Sequence, residues 1–295
     1  MPSSISLFVL SLLSIQFLAL ANVTVAQPAM LYNYCVNNGN YTTNSTYQTN
    51  LNHLLTSIYT NTEITYGFYN FSYGQNPDKV SAIALCRPDI SPDACRACVR
   101  NASDSLMTIC PNSKEAIGGY DNCMLRYANR SIFGQVEGGP YFWVYGLNNV
   151  SDVTGFNQSR AALLDKLTDQ AASGNSSYKY ATGHTGAPNS QNIYALLQCT
   201  PDLSKQQCMD CLTQSIELIP QCCNERQGGR VITPSCNFRY ETGLFYVPEG
   251  EQTTSVASVL ISPSSPPPIS ASARTGRASN IAGTLIIGSL PMLIF

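Results

Sequence analysis

The sequence predicts an α+β fold written twice in tandem, each copy an antiparallel sheet with helices on one face, stapled by disulfides. Three observations carry this. Ten of the twelve cysteines recur at a single offset, and apolar residues recur at helical spacing in both halves. Runs of β-branched and aromatic residues lie among those helices without βαβ regularity.

The offset is read from the cysteines. Cys86-x8-Cys95-x2-Cys98 is followed by Cys110 and Cys123, and Cys199-x8-Cys208-x2-Cys211 by Cys223 and Cys236, each 113 residues on. Flanking residues repeat too, LCRPDIS against QCTPDLS and CMLRYANRSIF against CNFRYETGLFY. The body is therefore one domain repeated, over residues 27–140 and 141–250. Cys35 and Cys222 fall outside the pattern, and the offset puts Asn148 in the place of Cys35.

The elements follow in order. Leu51, Leu54, Leu55 and Ile58 mark an amphipathic helix, with Leu163, Leu164 and Leu167 as its counterpart. A second helix starts at Ser91-Pro92-Asp93, an N-cap followed by proline in the first turn. Cys95, Cys98, Val99, Ala102 and Leu106 then share a face, as do Cys208, Cys211, Leu212, Ser215, Ile216 and Ile219. Strands are expected in Tyr66–Tyr73, Val80–Leu85, Cys123–Phe133 and Val231–Tyr246.

Both ends read as addresses. Residues 1–26 hold an uncharged apolar run and small residues before Ala21 and Ala26, the pattern of a cleaved secretory signal. Residues 251–280 form a Ser/Pro-rich linker, and residues 281–295 are apolar to the end. Fifteen residues fall short of the ~20 of a spanning helix. A small-residue spacer before an apolar terminus matches a glycolipid (GPI) anchor signal, with a short transmembrane anchor as the alternative. The body is expected outside the cell, secreted or on the outer face of the plasma membrane. Sequons at Asn40, Asn44, Asn70, Asn101, Asn129, Asn149, Asn157 and Asn175 agree with a glycoprotein, and a ninth, Asn22, lies in the leader.

Several function classes are excluded. Charged residues make up 12% of the chain and the net charge is −2, which rules out nucleic-acid binding by bulk electrostatics. Zinc would use four thiolates or added histidine, but the chain has only His53 and His184, and thiols oxidise in a secreted protein. A redox pair would leave the neighbouring cysteines unexplained, whereas structural bridges use all twelve. No G-x-S-x-G elbow, P-loop or dinucleotide fingerprint occurs. His53 sits beside an apolar helix face, His184 in a Gly/Thr loop, and Glu217, Glu225 and Glu241 show no glycosidase spacing. No catalytic set, cofactor or metal is expected.

Two copies of C-x8-C-x2-C, with PDLS before the second cysteine of the later copy and GGRV…PSC…RYE near its end, resemble the plant salt-stress/antifungal domain. That domain occurs in ginkbilobin, in cysteine-rich repeat secretory proteins, in cysteine-rich receptor-like kinases and in plasmodesmata-located proteins. The resemblance covers residues 30–247. It implies a five-stranded antiparallel sheet with two helices per copy, and the bridges Cys35–Cys110, Cys86–Cys95, Cys98–Cys123, Cys199–Cys208 and Cys211–Cys236. Cys222 and Cys223 are left to a vicinal bridge, or to a rival arrangement of Cys35–Cys222 with Cys110–Cys223. The resemblance also implies a mannose site of Asn, Arg and Glu. In copy one those positions hold Val36, Tyr120 and Ala128. In copy two they hold Asn149, Arg230 and Glu241, whose amide, guanidinium and carboxylate suit sugar hydroxyls. A plain Arg230–Glu241 ion pair is the alternative. The function expected is a non-enzymatic, extracellular cell-surface recognition module in plant defence or stress signalling. The alternative is a secreted mannose-binding antifungal protein. The expected partners are carbohydrate or cell-surface receptors, with membrane attachment through the tail.

Overall fold

The computed structural model describes residues 29–248. The leader, the linker and the apolar tail lie outside the described residues. The first copy runs β1 (Tyr32–Cys35), α1 (Thr46–Thr60), β2 (Phe68–Tyr73), β3 (Val80–Cys86), α2 (Pro92–Ile109), β4 (Ala116–Gly119) and β5 (Cys123–Ala128). The second runs β6 (Phe142–Tyr145), α3 (Val153–Ala172), β7 (Tyr180–Ala187), β8 (Gln191–Cys199), α4 (Lys205–Ile216), α5 (Ile219–Cys222), β9 (Gly229–Ile232) and β10 (Cys236–Glu241). Each copy is a five-stranded antiparallel sheet with two helices, ordered β1-β4-β5-β3-β2 and β6-β9-β10-β8-β7. The second copy adds the single turn of α5.

The helices start where their caps dictate. Ser45 and Ser91 accept from the backbone N–H three residues on, and Ser204 forms a capping box with Gln207. Leu51, Leu54, Leu55 and Ile58 of α1 and Val99, Ala102 and Leu106 of α2 bury one face of the first sheet. Leu163, Leu164, Leu167 and Leu212 do the same for the second. The run over Val231–Tyr246 holds the end of β9 and all of β10, separated by a turn at Thr233–Ser235. His184 stands in β7 rather than in a loop, which corrects the sequence reading. Two glycines in YATGHTGA mimic loop composition, yet pairing with β8 extends over all eight residues.

The opposite faces of the two sheets meet each other. Tyr32, Ile83, Leu85, Ile117 and Met124 of the first sheet form one buried cluster with Phe142 and Ile232 of the second. The rings of Tyr32 and Phe142 are 4.7 Å apart. The layers are thus helices, sheet, sheet, helices, and among the described residues the apolar interior forms three large clusters and a small fourth of Tyr180, Leu196 and Tyr246.

All twelve cysteines are bridged: Cys35–Cys110, Cys86–Cys95, Cys98–Cys123, Cys199–Cys208, Cys211–Cys236 and Cys222–Cys223. Strand register corrects the offset in one place. Cys35 pairs with Ala116, while Tyr145 pairs with Gly229, the residue 113 after Ala116. Tyr145 and not Asn148 therefore stands in the place of Cys35, and Gly146 in that of Val36. Copy two carries three more residues between its first strand and its first cysteine, so a constant offset fails only there. Without a thiol on β6, Cys223 turns to its neighbour Cys222.

Candidate functional site

The candidate site lies where Arg230 meets the first domain. Alternation along β9 and β10 puts Arg230, Arg239 and Glu241 on the face away from the helices, and Arg230 is directly opposite Arg239. Asp121 comes from the turn between β4 and β5. Its Oδ1 accepts from Arg230 Nη1 and from Arg239 Nη1, each at 2.9 Å, and its Oδ2 accepts from Arg87 Nη1 at 3.1 Å. Arg87 also pairs with the buried Asp89. The segment after β10 joins in: Arg87 Nη2 donates to the Phe245 carbonyl at 2.8 Å, and the Val247 N–H donates to Asp89 Oδ2 at 3.0 Å. Gln198 Nε2 donates to the Cys86 carbonyl at 2.8 Å.

Electrostatics follow from this crowding. Burial alone pushes the Asp121 carboxyl up, but Arg230, Arg239 and Arg87 together hold it below its ordinary value. Burial lowers Arg230 against the pull of Asp121. Burial raises Glu241, with Arg239 opposing.

The three residues expected to hold a sugar do not share one open patch. Arg230 is 9% exposed and committed to Asp121. The cavity beside it is about 10 Å³, room for about one water and not for a sugar ring. Arg230 Nε and Asn237 Oδ1 both line it, buried and without a partner. Glu241 accepts from Arg239 Nε at 3.1 Å rather than from Arg230. Its carboxylate lies over Gly228, where a Cβ would come within 1.9 Å of Oε2. Asn149 is exposed beyond the end of β6 and accepts from Arg226 Nη1 at 2.8 Å. The ion pairs of Arg230 and Glu241 are thus with Asp121 and Arg239, not with each other.

In copy one, register places Ile117 and not Tyr120 at the position of Arg230, because Ala116 pairs with Tyr127 as Gly229 pairs with Tyr240. Val36 and Ile117 line an open pocket of about 260 Å³. Its polar wall is a four-charge network in which Arg126 and Arg130 each bind both Glu115 and Glu137. Arg126 and Glu115 are 4% and 3% exposed, and the Glu137 N–H donates to Ser235 Oγ of copy two. Sequence reading missed this network and Asp121. The repeated Arg-Tyr of CMLRYA and CNFRYE was the available signal, since it puts Arg126 and Arg239 on the face that meets the other sheet.

Of the sequons, Asn40, Asn44, Asn70, Asn149 and Asn175 are exposed, while Asn101, Asn129 and Asn157 are half-buried. Asn157 Nδ2 donates to Asn224. The His53 ring lies tilted against Tyr73 and the His184 ring tilted against Tyr194. Among the described residues no group of three His, Cys, Asp or Glu side chains is placed to hold a metal, and no helix is long and apolar enough to cross a membrane.

The salt stress response/antifungal family model matches residues 34–130 and 145–243. Cysteine-rich receptor-like protein kinase 26 of Arabidopsis thaliana is 38% identical over 88% of the chain, which spans 39% of that relative. The chain spans about a third to two fifths of the receptor-like kinases it matches first. Cysteine-rich repeat secretory protein 38 of Arabidopsis thaliana is 39% identical over 72% of this chain and 84% of its own. The antimicrobial ginkbilobin-2-like protein of Castanea crenata is 40% identical over 76% and 91%. The tandem ectodomain of the Arabidopsis thaliana cysteine-rich receptor-like protein PDLP5 covers 73% of this chain and 100% of its own, at 30% identity and a TM-score of 0.59. That of PDLP8 covers 73% and 98% with a TM-score of 0.64, a likeness of fold at 23% identity.

Proposed function

Because the chain belongs to the salt stress response/antifungal family, we propose that it is a non-enzymatic recognition module of the plant cell surface, acting in defence or stress signalling. One observation carries the reading. The two copies are joined face to face through an apolar core and the Asp121 ion cluster, so they present one composite surface instead of two independent sugar pockets. Such a body suits a protein partner at a membrane. The leader over 1–26 would direct it outside, and the apolar tail over 281–295 would retain it there by a glycolipid anchor. Glycans on the exposed sequons would keep a chain with so few charges soluble.

The test uses the full chain expressed in plant cells. Phospholipase should release it from the cell surface, and the released protein should bind at least one receptor ectodomain in a pairwise screen. A chain that is fully free in the medium and binds no ectodomain overturns this reading.

The second reading is a free carbohydrate-binding antifungal protein. The relative named antimicrobial, matched over 91% of its length, favours it. Mannose binding through Asn149, Arg230 and Glu241 would require Arg230 to leave Asp121 and Asn149 to be unglycosylated. Calorimetric heat with mannose, abolished by Glu241→Ala, together with inhibition of fungal growth, would support it.

A further inference from the structure

The geometry points to the open edge of β7 as a docking strand for an extended peptide that carries a carboxylate two positions from an apolar residue. This names the partner chemistry for the recognition reading and rests on it.

Among the described residues β7 is the edge of the second sheet and pairs only with β8. Cys199 N–H donates to the Lys179 carbonyl, which fixes the ladder's phase. By alternation, odd positions from 179 turn their backbone groups to β8, and Tyr180, Thr182, His184 and Gly186 turn theirs outward. Tyr246 caps the Gly183 carbonyl, which belongs to the inward set, and no described residue bonds the outward set. Edge strands are usually protected by charge, by proline or by being short. The eight residues of β7 contain neither. The corresponding edge in copy one, β2, differs: Cys86 N–H to Gly67 O puts Asn70 in its outward set, and Asn70 is an exposed sequon. A glycan there would cover β2, whereas no sequon occurs from β7 to Val247.

A groove of about 350 Å³ runs along the open side, lined by Leu163, Lys166, Leu167 and Gln170 of α3 and by residues 180–184. A strand added at the usual ~4.8 Å spacing would enter it. Alternate side chains of that strand would face α3, where two leucines meet an apolar residue. Lys166 is the one charged residue of the lining, is exposed, and pairs with no described residue. Asp165 precedes it without lining the groove. Charge complementarity therefore selects a carboxylate beside the apolar residue.

The probes are a seven-residue peptide of alternating threonine and valine with a central glutamate, TVTETVT, and its lysine counterpart TVTKTVT. Hydrogen exchange on the full chain should show fast outward amides at Thr182, His184 and Gly186, slowed at least tenfold by the glutamate peptide. Lys166→Glu should weaken the glutamate peptide about tenfold and strengthen the lysine one. Thr182→Pro, which removes only an outward donor, should weaken both. Amides already slow in the free chain would mean that its own terminal segment or a second copy covers the edge, and would overturn the proposal. So would binding indifferent to Lys166→Glu. A receptor ectodomain that binds wild type and Thr182→Pro equally sinks this surface and leaves the recognition reading standing. Peptide binding without any ectodomain partner does the reverse.

Discussion

Asp121 shows how much one side chain can organise. It is half exposed, yet three guanidiniums from both domains converge on it, and Arg230 among them is buried. Asp121→Ala leaves Arg230 without its counter-charge. We expect a loss of about 1–3 kcal/mol in urea unfolding, below the 3–5 of a fully buried pair because solvent screens the carboxylate. The depressed Asp121 carboxyl stabilises the fold above the ordinary carboxylate value of about 4, and that contribution disappears as pH falls through its lower folded value. Acid titration of stability should therefore be shallower in the variant below about pH 4. Glu241 has the opposite sign. Its carboxyl is raised, so its contribution is present below about 4.3 and lost as pH rises through the folded value. Glu241→Gln keeps an acceptor for Arg239 and should remove the loss between pH 4 and neutrality; an unchanged pH profile would place Glu241 in open solvent. The pairs of Asp121 with Arg230 and Arg239 were not legible in the sequence, because ion pairs between residues more than a hundred positions apart leave no local pattern. Arg230 and Glu241 were found by motif, but only register and burial show that Asp121 claims the first and Arg239 the second.

At the level of elements, periodicity served well where a segment buries one face and failed where it does not. The apolar spacing of α1 and the Ser-Pro cap of α2 marked helices that the structure contains. The short edge strands β1 and β6 have too few residues to alternate visibly, and β7 hid behind its glycines. The same shortness concealed the three-residue shift that moves Tyr145 into the place of Cys35. The bridges divide accordingly. Cys98–Cys123 closes a loop of sequence separation 25 between α2 and β5, and Cys98→Ser should cost about 2–5 kcal/mol. Cys222–Cys223 closes almost no chain. Replacing both cysteines with serine should cost less than about 1 kcal/mol, since little loop entropy is involved. Denaturant curves on the two variants decide this, and equal losses would show that the ring positions more than itself. Cleavage between residues 136 and 141 followed by a non-reducing denaturing gel should give two separate pieces, because every bridge lies within one copy.

At the scale of the whole molecule, the sheet-to-sheet core makes one body of two repeats. Phe142 is buried against Tyr32 across that boundary. Phe142→Ala should cost about 3–5 kcal/mol and split a single calorimetric transition into two. A variant that still melts once would mean that the ion cluster alone couples the copies. The repeat was legible as an offset, but the way its copies meet was not, because the residues that join them look like ordinary strand alternation. The short segment after β10 adds a mechanical consequence. Phe245 and Val247 fasten to Arg87 and Asp89 of the first domain although they end the second. A pull on the chain beyond Pro248 therefore reaches both domains at once, loading the boundary between them before it can unzip β10 from its sheet. Traction applied there would be felt first as a change in the angle between the halves, which makes the joint itself the strain gauge.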